Sequence, residues 1–168
     1  MAPLFSDPGQ FTITIEVVPP AGHDGTALLK KLAALSELDF HAFSVAYNPV
    51  AKPRMSALVF SRLIQEICGR KAICHLTVRD HNRIGIQSEI WGALASEIDT
   101  VIAVTGDPSA ANREIPATTV GDVTVYELIS MADQAGMHTG AVLDFRPEVN
   151  GLKNEVHRLE KKVAAGCR

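Results

Sequence analysis

The sequence predicts an α/β fold of parallel strands, on three observations. Short apolar runs rich in β-branched residues recur along the chain. A helix-length amphipathic segment follows each of them. Polar residues gather at the carboxyl-terminal end of every run. Strand–helix alternation of this kind implies parallel strands joined by right-handed crossovers.

The first run is "FTITIEVVPP" (11–20), and the near-continuous apolarity of such runs fits strands covered on both faces. It leads into a helix over 27–38, where Leu28, Leu32 and Leu35 share a face. The second run, "FSVAYNP" (43–49), precedes a helix over 57–68 with the stripe Val59, Leu63 and Ile67 and with Ser56 as N-cap. The third, "KAICHLTVRD" (71–80), precedes a helix over 84–98 with Ile86, Ile90, Ala93 and Leu94 in line. The fourth, "TVIAVTGDP" (100–108), is followed by a helix over 124–135 carrying Val125, Leu128, Ile129 and Ala132. The last, "TGAVLDFRP" (139–147), leads to a helix over 151–165 with Leu152, Val156, Leu159 and Val163, closed by Gly166.

Five such units fit two architectures. One is a doubly wound open sheet. The other is the first five βα units of a (β/α)8, or TIM, barrel, which needs roughly 250 residues in all. Polar groups at every strand end favour the barrel, because an open sheet concentrates its ligand at one switch point. The first strand also lacks the G-x-G-x-x-G turn of a dinucleotide fold.

Composition narrows the function. The 168 residues suffice for one domain, 1–168, and a formal net charge of −3 argues against a nucleic-acid partner. There is no membrane-length apolar run and no secretory leader pattern in "MAPLFSDPGQ". Cys68, Cys74 and Cys167 fit neither a zinc site nor a disulfide framework, so a reduced cytoplasmic setting is expected.

Aligned by their carboxyl ends, the strands present Glu16, Tyr47, His75 with Thr77, Thr105 with Asp107, and Asp144 with Arg146. The first four positions recur about every 30 residues, one βα unit each. Ligands of parallel α/β folds bind at that end. Glu16 sits inside an apolar strand, where burial drives a carboxyl group toward its protonated form and suits a general acid. The alternative is a surface or salt-bridged glutamate on an edge strand. "CHLTVRDHN" (74–82) places His75 and Thr77 on one strand face, with Cys74 and Leu76 on the other. A metal set of His75, Asp80 and His81 matches no ligand spacing. The competing reading is a core histidine with Asp80 or Asn82 capping the next helix. "TGDP" alone is a turn, and gains meaning only by falling in register with the other strand ends. Glu155, Arg158 and Lys162 form one polar stripe, either a solvated face or a clamp for a phosphate-bearing cofactor.

These stretches carry a family resemblance. "ITIEVVPP", "FSVAYNPVAKPRMSAL", "AICHLTVRDHNRIGIQSEIWGA", "VIAVTGDP" and "EVHRLEKKVAAG" resemble methylenetetrahydrofolate reductases in order and spacing. The chain is most similar to the reductase module of bacterial bifunctional enzymes that also carry a homocysteine methyltransferase half. The resemblance spans residues 11–168 and implies a TIM barrel binding FAD noncovalently. The implied reaction, part of one-carbon metabolism and methionine supply, reduces 5,10-methylenetetrahydrofolate to 5-methyltetrahydrofolate. NAD(P)H or another donor supplies the electrons. It assigns Glu16 as general acid and Asp107 as the carboxylate beside flavin and pterin. It assigns cofactor contacts to Tyr47, His75, Thr105, Gly106, Phe145, Glu155, Arg158 and Lys162. It places the segment from Ala117 through Thr118 and Thr119 to Asp122 around the adenosine part.

Two departures stand out: Ala46-Tyr47 where some members have Thr-Tyr, and a charged Asp144-Phe145-Arg146 where an apolar-Asn pattern is usual. The family's barrel continues for about three more units, so the chain reads as the N-terminal part of a reductase. The alternatives are a non-enzymatic flavin- or nucleotide-binding half-barrel that needs a partner chain and an unrelated open-sheet domain; assembly as a homo-oligomer or with a partner subunit is also expected.

Overall fold

The computed structural model describes residues 4, 9, 11–112, 114–144 and 146–168. Its elements run β1 (Thr14–Val17), α1 (Thr26–Leu35), β2 (Ala42–Val45), α2 (Ala57–Cys68), β3 (Lys71–Thr77), α3 (Arg83–Ala95), β4 (Thr100–Val104), α4 (Val125–Gln134), β5 (His138–Ala141), α5 (Pro147–Asn150) and α6 (Leu152–Ala164). Single 3-10 turns at Pro49–Ala51 and Ser109–Ala111 follow β2 and β4. The strands form one parallel sheet in the order β1-β2-β3-β4-β5.

That order decides between the two architectures. A doubly wound sheet reverses its strand order at a switch point, and this one never does. Right-handed crossovers between successive neighbours put the covering helices on one face. The core follows suit: Val17, Phe43, Val45, Cys74, Leu76, Val101 and Ala103 from alternate sheet positions pack with Leu32, Phe60, Ile64, Ile90 and Leu128 from the helices. The other positions, including Glu16, Ser44, His75 and Thr77, turn to the opposite, concave face. The chain is thus an α/β protein of barrel-type winding, comprising five βα units.

Capping follows local chemistry. Ser56 Oγ accepts from the Val59 N–H at α2, and Thr124 with Glu127 forms a capping box at α4. At α3 the cap is Asn82, whose Oδ1 accepts from the Gly85 N–H.

Three helices do not bury the faces that periodicity picks out. In α1, Leu29 and Leu32 are buried and Leu35 is exposed. In α2, Phe60 and Ile64 face the sheet, whereas Val59 and Ile67 face solvent. The apolar residues of α2 form one broad arc opposite Arg62 and Glu66, and the Val59, Leu63 and Ile67 stripe runs along its edge, whereas Phe60 and Ile64 lie further in. In α6 the face is largely reversed, with only Leu159 of the expected stripe partly buried. Glu155 (2% exposed) and Lys162 (5%) are buried, while Leu152, Val156 and Val163 are exposed. α6 packs on α4 and α5, and its polar stripe is turned to the strand ends. After α6 the Arg168 N–H donates to Thr139 O of β5 at 3.0 Å, which brings the chain back to the open side of that strand.

Candidate active site

A cavity of about 430 Å³ opens at the carboxyl ends of the strands. Glu16, Tyr47, His75, Thr105, Gly106, Asp107, Glu155, Arg158 and Lys162 all line it. The fold therefore brings together residues that lie up to 146 positions apart in sequence, from Glu16 to Lys162.

Glu16 sits on β1 opposite Ser44 of β2. It is exposed, not buried in its strand. The reason is topological: β1 is the outer strand of the sheet, so neighbours cover it from one side only.

His75 meets Ser44 across the β2–β3 pair, with Nε2 and Ser44 Oγ 2.8 Å apart. Burial drives its pKa down to about 4, so the ring is neutral near pH 7. Tyr47 lies two residues past β2, and its hydroxyl is 2.6 Å from His81 Nε2. Burial, then the Asp80 charge, pushes the phenol pKa up, and Tyr47 stays protonated.

Gly106 has a local structural cause. Its φ is +83°, and a Cβ there would stand 2.5 Å from Thr77 Oγ1. Thr77 Oγ1 is fixed in turn, donating to Thr105 O at 3.1 Å and accepting from the Arg79 N–H at 3.2 Å. Next in sequence, Asp107 is exposed, and its Oδ2 accepts from the Val50 N–H at 2.6 Å.

α6 supplies the charged wall. Glu155 Oε2 accepts from the Asp144 N–H at 3.4 Å, and Lys162 Nζ donates to Val142 O. Glu155 Oε1 and Arg158 Nε lie 3.5 Å apart, an ion pair by distance. Their alignment is not that of a hydrogen bond, so both buried atoms have no hydrogen-bond partner among the described residues. Burial, then the neighbouring Arg158, lowers the Lys162 pKa. Asp144 also lines the cavity, but Arg146 grips it at 2.8 and 2.7 Å and takes its pKa down to about 2.

The remaining expectations fall elsewhere. Ala117, Thr118 and Thr119 are exposed and do not line this cavity. Ala117 borders a separate hollow of about 140 Å³ beside Arg79 and Asp80. Thr119 Oγ1 lies 2.9 Å from Ser109 Oγ instead. That segment is tied down by the Val120 N–H on Arg79 O, which draws it to the outside of β3. Phe145 lies outside the described residues. Among the described residues no three His, Cys, Asp or Glu side chains are grouped to hold a metal.

Sequence reasoning did not single out Ser44 or the pairing of Tyr47 with His81. Ser44 carried a signal, since it is two residues before Ala46 on the strand face that reaches the site. The Tyr47–His81 contact joins residues 34 positions apart and had none.

Sequentially ordered parallel strands with helices on one face and a polar cavity at the strand ends define an α/β protein of the TIM-barrel class. The sequence matches the methylenetetrahydrofolate reductase family over residues 4–168, and the chain belongs to that family. A comparison with curated proteins gives no match.

Solved structures share the fold. A phosphonopyruvate hydrolase, solved with oxalate and Mg²⁺, is 13% identical with a TM-score of 0.63, over 95% of this chain and 57% of that one. An uncharacterized protein from Clostridium thermocellum that binds two copies of 5-methyl-5,6,7,8-tetrahydrofolic acid is 14% identical with a TM-score of 0.60, over 93% and 52%. A 2,3-dimethylmalate lyase is 17% identical with a TM-score of 0.55, over 91% and 56%. The chain spans just over half the length of these structures.

Proposed function

We propose that this chain forms the FAD- and folate-binding part of a methylenetetrahydrofolate reductase, which converts 5,10-methylenetetrahydrofolate to 5-methyltetrahydrofolate. The observation that carries the reading is the convergence of Glu16, His75, Asp107 and the inward charged stripe of α6 on one cavity, in a member of this family. The folate bound by the Clostridium thermocellum neighbour supports the substrate class.

FAD fits the residues present. Arg158 Nε and Glu155 Oε1, buried at the cavity wall, pair with each other by charge but make no hydrogen bond among the described residues, which leaves both able to bond a polar ligand. Arg158 and Lys162 would hold phosphate oxygens, and Glu155 a hydroxyl. Gly106 lines the same cavity, its glycine required by the close approach of Thr77 and Arg79. When bound, FAD supplies the hydride that reduces the folate methylene, drawn from NAD(P)H or another donor.

The chain's own residues prepare the substrate. Glu16 gives a proton to N10 of the folate, which opens the methylene bridge and leaves a 5-iminium cation. Asp107, anchored on the Val50 N–H, stabilises that cation. Neutral His75 is a hydrogen-bonding group and brings no competing positive charge. The reaction belongs to the cytoplasm, where Cys68, Cys74 and Cys167 remain free thiols.

The exposure of Glu16 on an outer strand favours a second reading, a flavin-binding half-barrel that turns over only with a partner segment or subunit. One set of titrations separates them. The purified chain is titrated with FAD by flavin fluorescence, then assayed anaerobically for folate-dependent reoxidation of reduced flavin. FAD binding with reoxidation that Glu16→Gln abolishes supports the reductase. Binding without reoxidation supports the half-barrel, and absence of FAD binding overturns both.

A further inference from the structure

Arg79 lies two residues past β3, only 4% exposed, with no part in the chemistry above. Its guanidinium meets the Asp80 carboxylate fork to fork, Nε to Oδ1 at 2.7 Å and Nη2 to Oδ2 at 2.6 Å. This contact holds the Asp80 pKa below the ordinary carboxylate range. The same guanidinium reaches the backbone of both neighbouring strand ends. Nη1 donates to Asp107 O at 3.2 Å and Nη2 to Asn48 O at 3.3 Å.

Those two strand ends meet again through the Val50 N–H on Asp107 Oδ2. The contacts close a ring: Arg79, Asp107, Val50, Asn48 and back to Arg79. Asn112 braces it, donating from Nδ2 to Ala51 O at 3.1 Å.

The ring enforces an unfavourable backbone. Asn48, Val50 and Ala51 have φ of 38°, 56° and 56°. Asparagine tolerates the left-handed region, but a β-branched valine there is an outlier, and such a residue costs about 1–3 kcal/mol. Such shapes persist only where their surroundings over-determine them. This one aims the Val50 N–H at Asp107. Lysine in place of Arg79 would present one ammonium, not a planar fork able to serve a carboxylate and two carbonyls together.

We propose that Arg79, oriented by Asp80, is a positioning residue: it locks the loop after β2 to the loop after β4, so that the Asp107 carboxylate is held in one orientation at the cavity wall. The role in catalysis rests on reading the cavity as the reductase site.

Amide hydrogen exchange of Val50, followed by NMR in the 168-residue chain, tests the lock without any ligand. FAD titration of the same samples tests its consequence. In the wild-type chain the exposed Val50 amide is protected. Arg79→Lys lowers that protection at least about tenfold while the Cys74 amide of β3 keeps its own. The visible spectrum of bound FAD shifts, and its affinity falls. Unchanged Val50 protection in folded Arg79→Lys overturns the lock. Lost protection with unaltered FAD spectrum and affinity overturns the positioning role. Should far-UV circular dichroism show Arg79→Lys unfolded, Asp80→Glu, which keeps the charge and displaces the fork, is judged by the same two criteria. Loss of Val50 protection in a protein whose wild type binds no FAD leaves the lock standing and overturns the functional reading.

Discussion

α4 and α6 are both amphipathic, yet they bury opposite faces. α4, 10 residues long, turns Val125, Leu128, Ile129 and Ala132 to the sheet and starts with a capping box. α6, 13 residues long, buries Glu155 and Lys162 and leaves Leu152, Val156 and Val163 in solvent. One helix is held by the hydrophobic effect, which rewards area removed from water. The other is held in part by polar contacts at strand ends, where Lys162 caps Val142 O and Glu155 takes the Asp144 N–H. A helix that supports the core and a helix that furnishes a site therefore obey different selection rules, even when both show helical periodicity.

The contrast breaks if truncating either stripe has the same effect on stability. Leu128→Ala is expected to cost about 3 kcal/mol in urea unfolding, because Leu128 is fully buried. Acid titration gives the next effect. His75 has its folded pKa depressed to about 4 from 6.5, so the unfolded chain takes up the proton first. Stability is complete above about pH 6.5 and declines by up to roughly 3 kcal/mol as pH falls to about 4. Thermal melts across that range check it, and His75→Gln flattens the decline. The α4 cap outlasts this change. The Thr124 N–H and then Arg83 lower the Glu127 pKa to about 2, so its contribution persists above about pH 4.5 and fades as pH approaches 2.

Lys162→Met sharpens the comparison. Methionine leaves the Val142 carbonyl without its donor and the buried Glu155 carboxylate short of a cation, so stability falls by about 1–3 kcal/mol. FAD affinity, by fluorescence titration, falls at least about tenfold as the phosphate partner is lost. Val156→Ser, on the exposed stripe, has the smallest effect, under about 0.5 kcal/mol in the same urea experiment.

What the sequence made legible follows the same division. The five βα units and the register of Glu16, Tyr47, His75 and Asp107 could be read, because strand period and unit length are local properties. The inner face of α4 could be read too, since it has one dominant apolar stripe, and so could the Ile86, Ile90 and Ala93 face of α3, although Ile84 and Trp91 put apolar residues on its outer side as well. The faces of α2 and α6 could not. In α2 the apolar arc is broad, and the Val59, Leu63 and Ile67 stripe is its edge, not the part that meets the sheet. In α6, periodicity reports where leucines and valines lie, not which neighbour the helix has. The left-handed turn at Val50 had no signature either, because valine is among the residues least suited to it. Its cause lies in Arg79 and Asp107, 29 and 57 positions further on.

The inward turn of α6 also makes the cavity electrically lopsided. Among the described residues that line it, Arg158 and Lys162 of α6 outnumber the one carboxylate of that helix, Glu155, while Glu16 and Asp107 stand on β1 and after β4, and the lining Asp144 is offset by Arg146. An entering molecule meets positive potential along one wall and negative along another. A ligand with phosphate at one end and nascent positive charge at the other then has one favoured way in. Added salt blunts that preference once the screening length falls below about 8–10 Å.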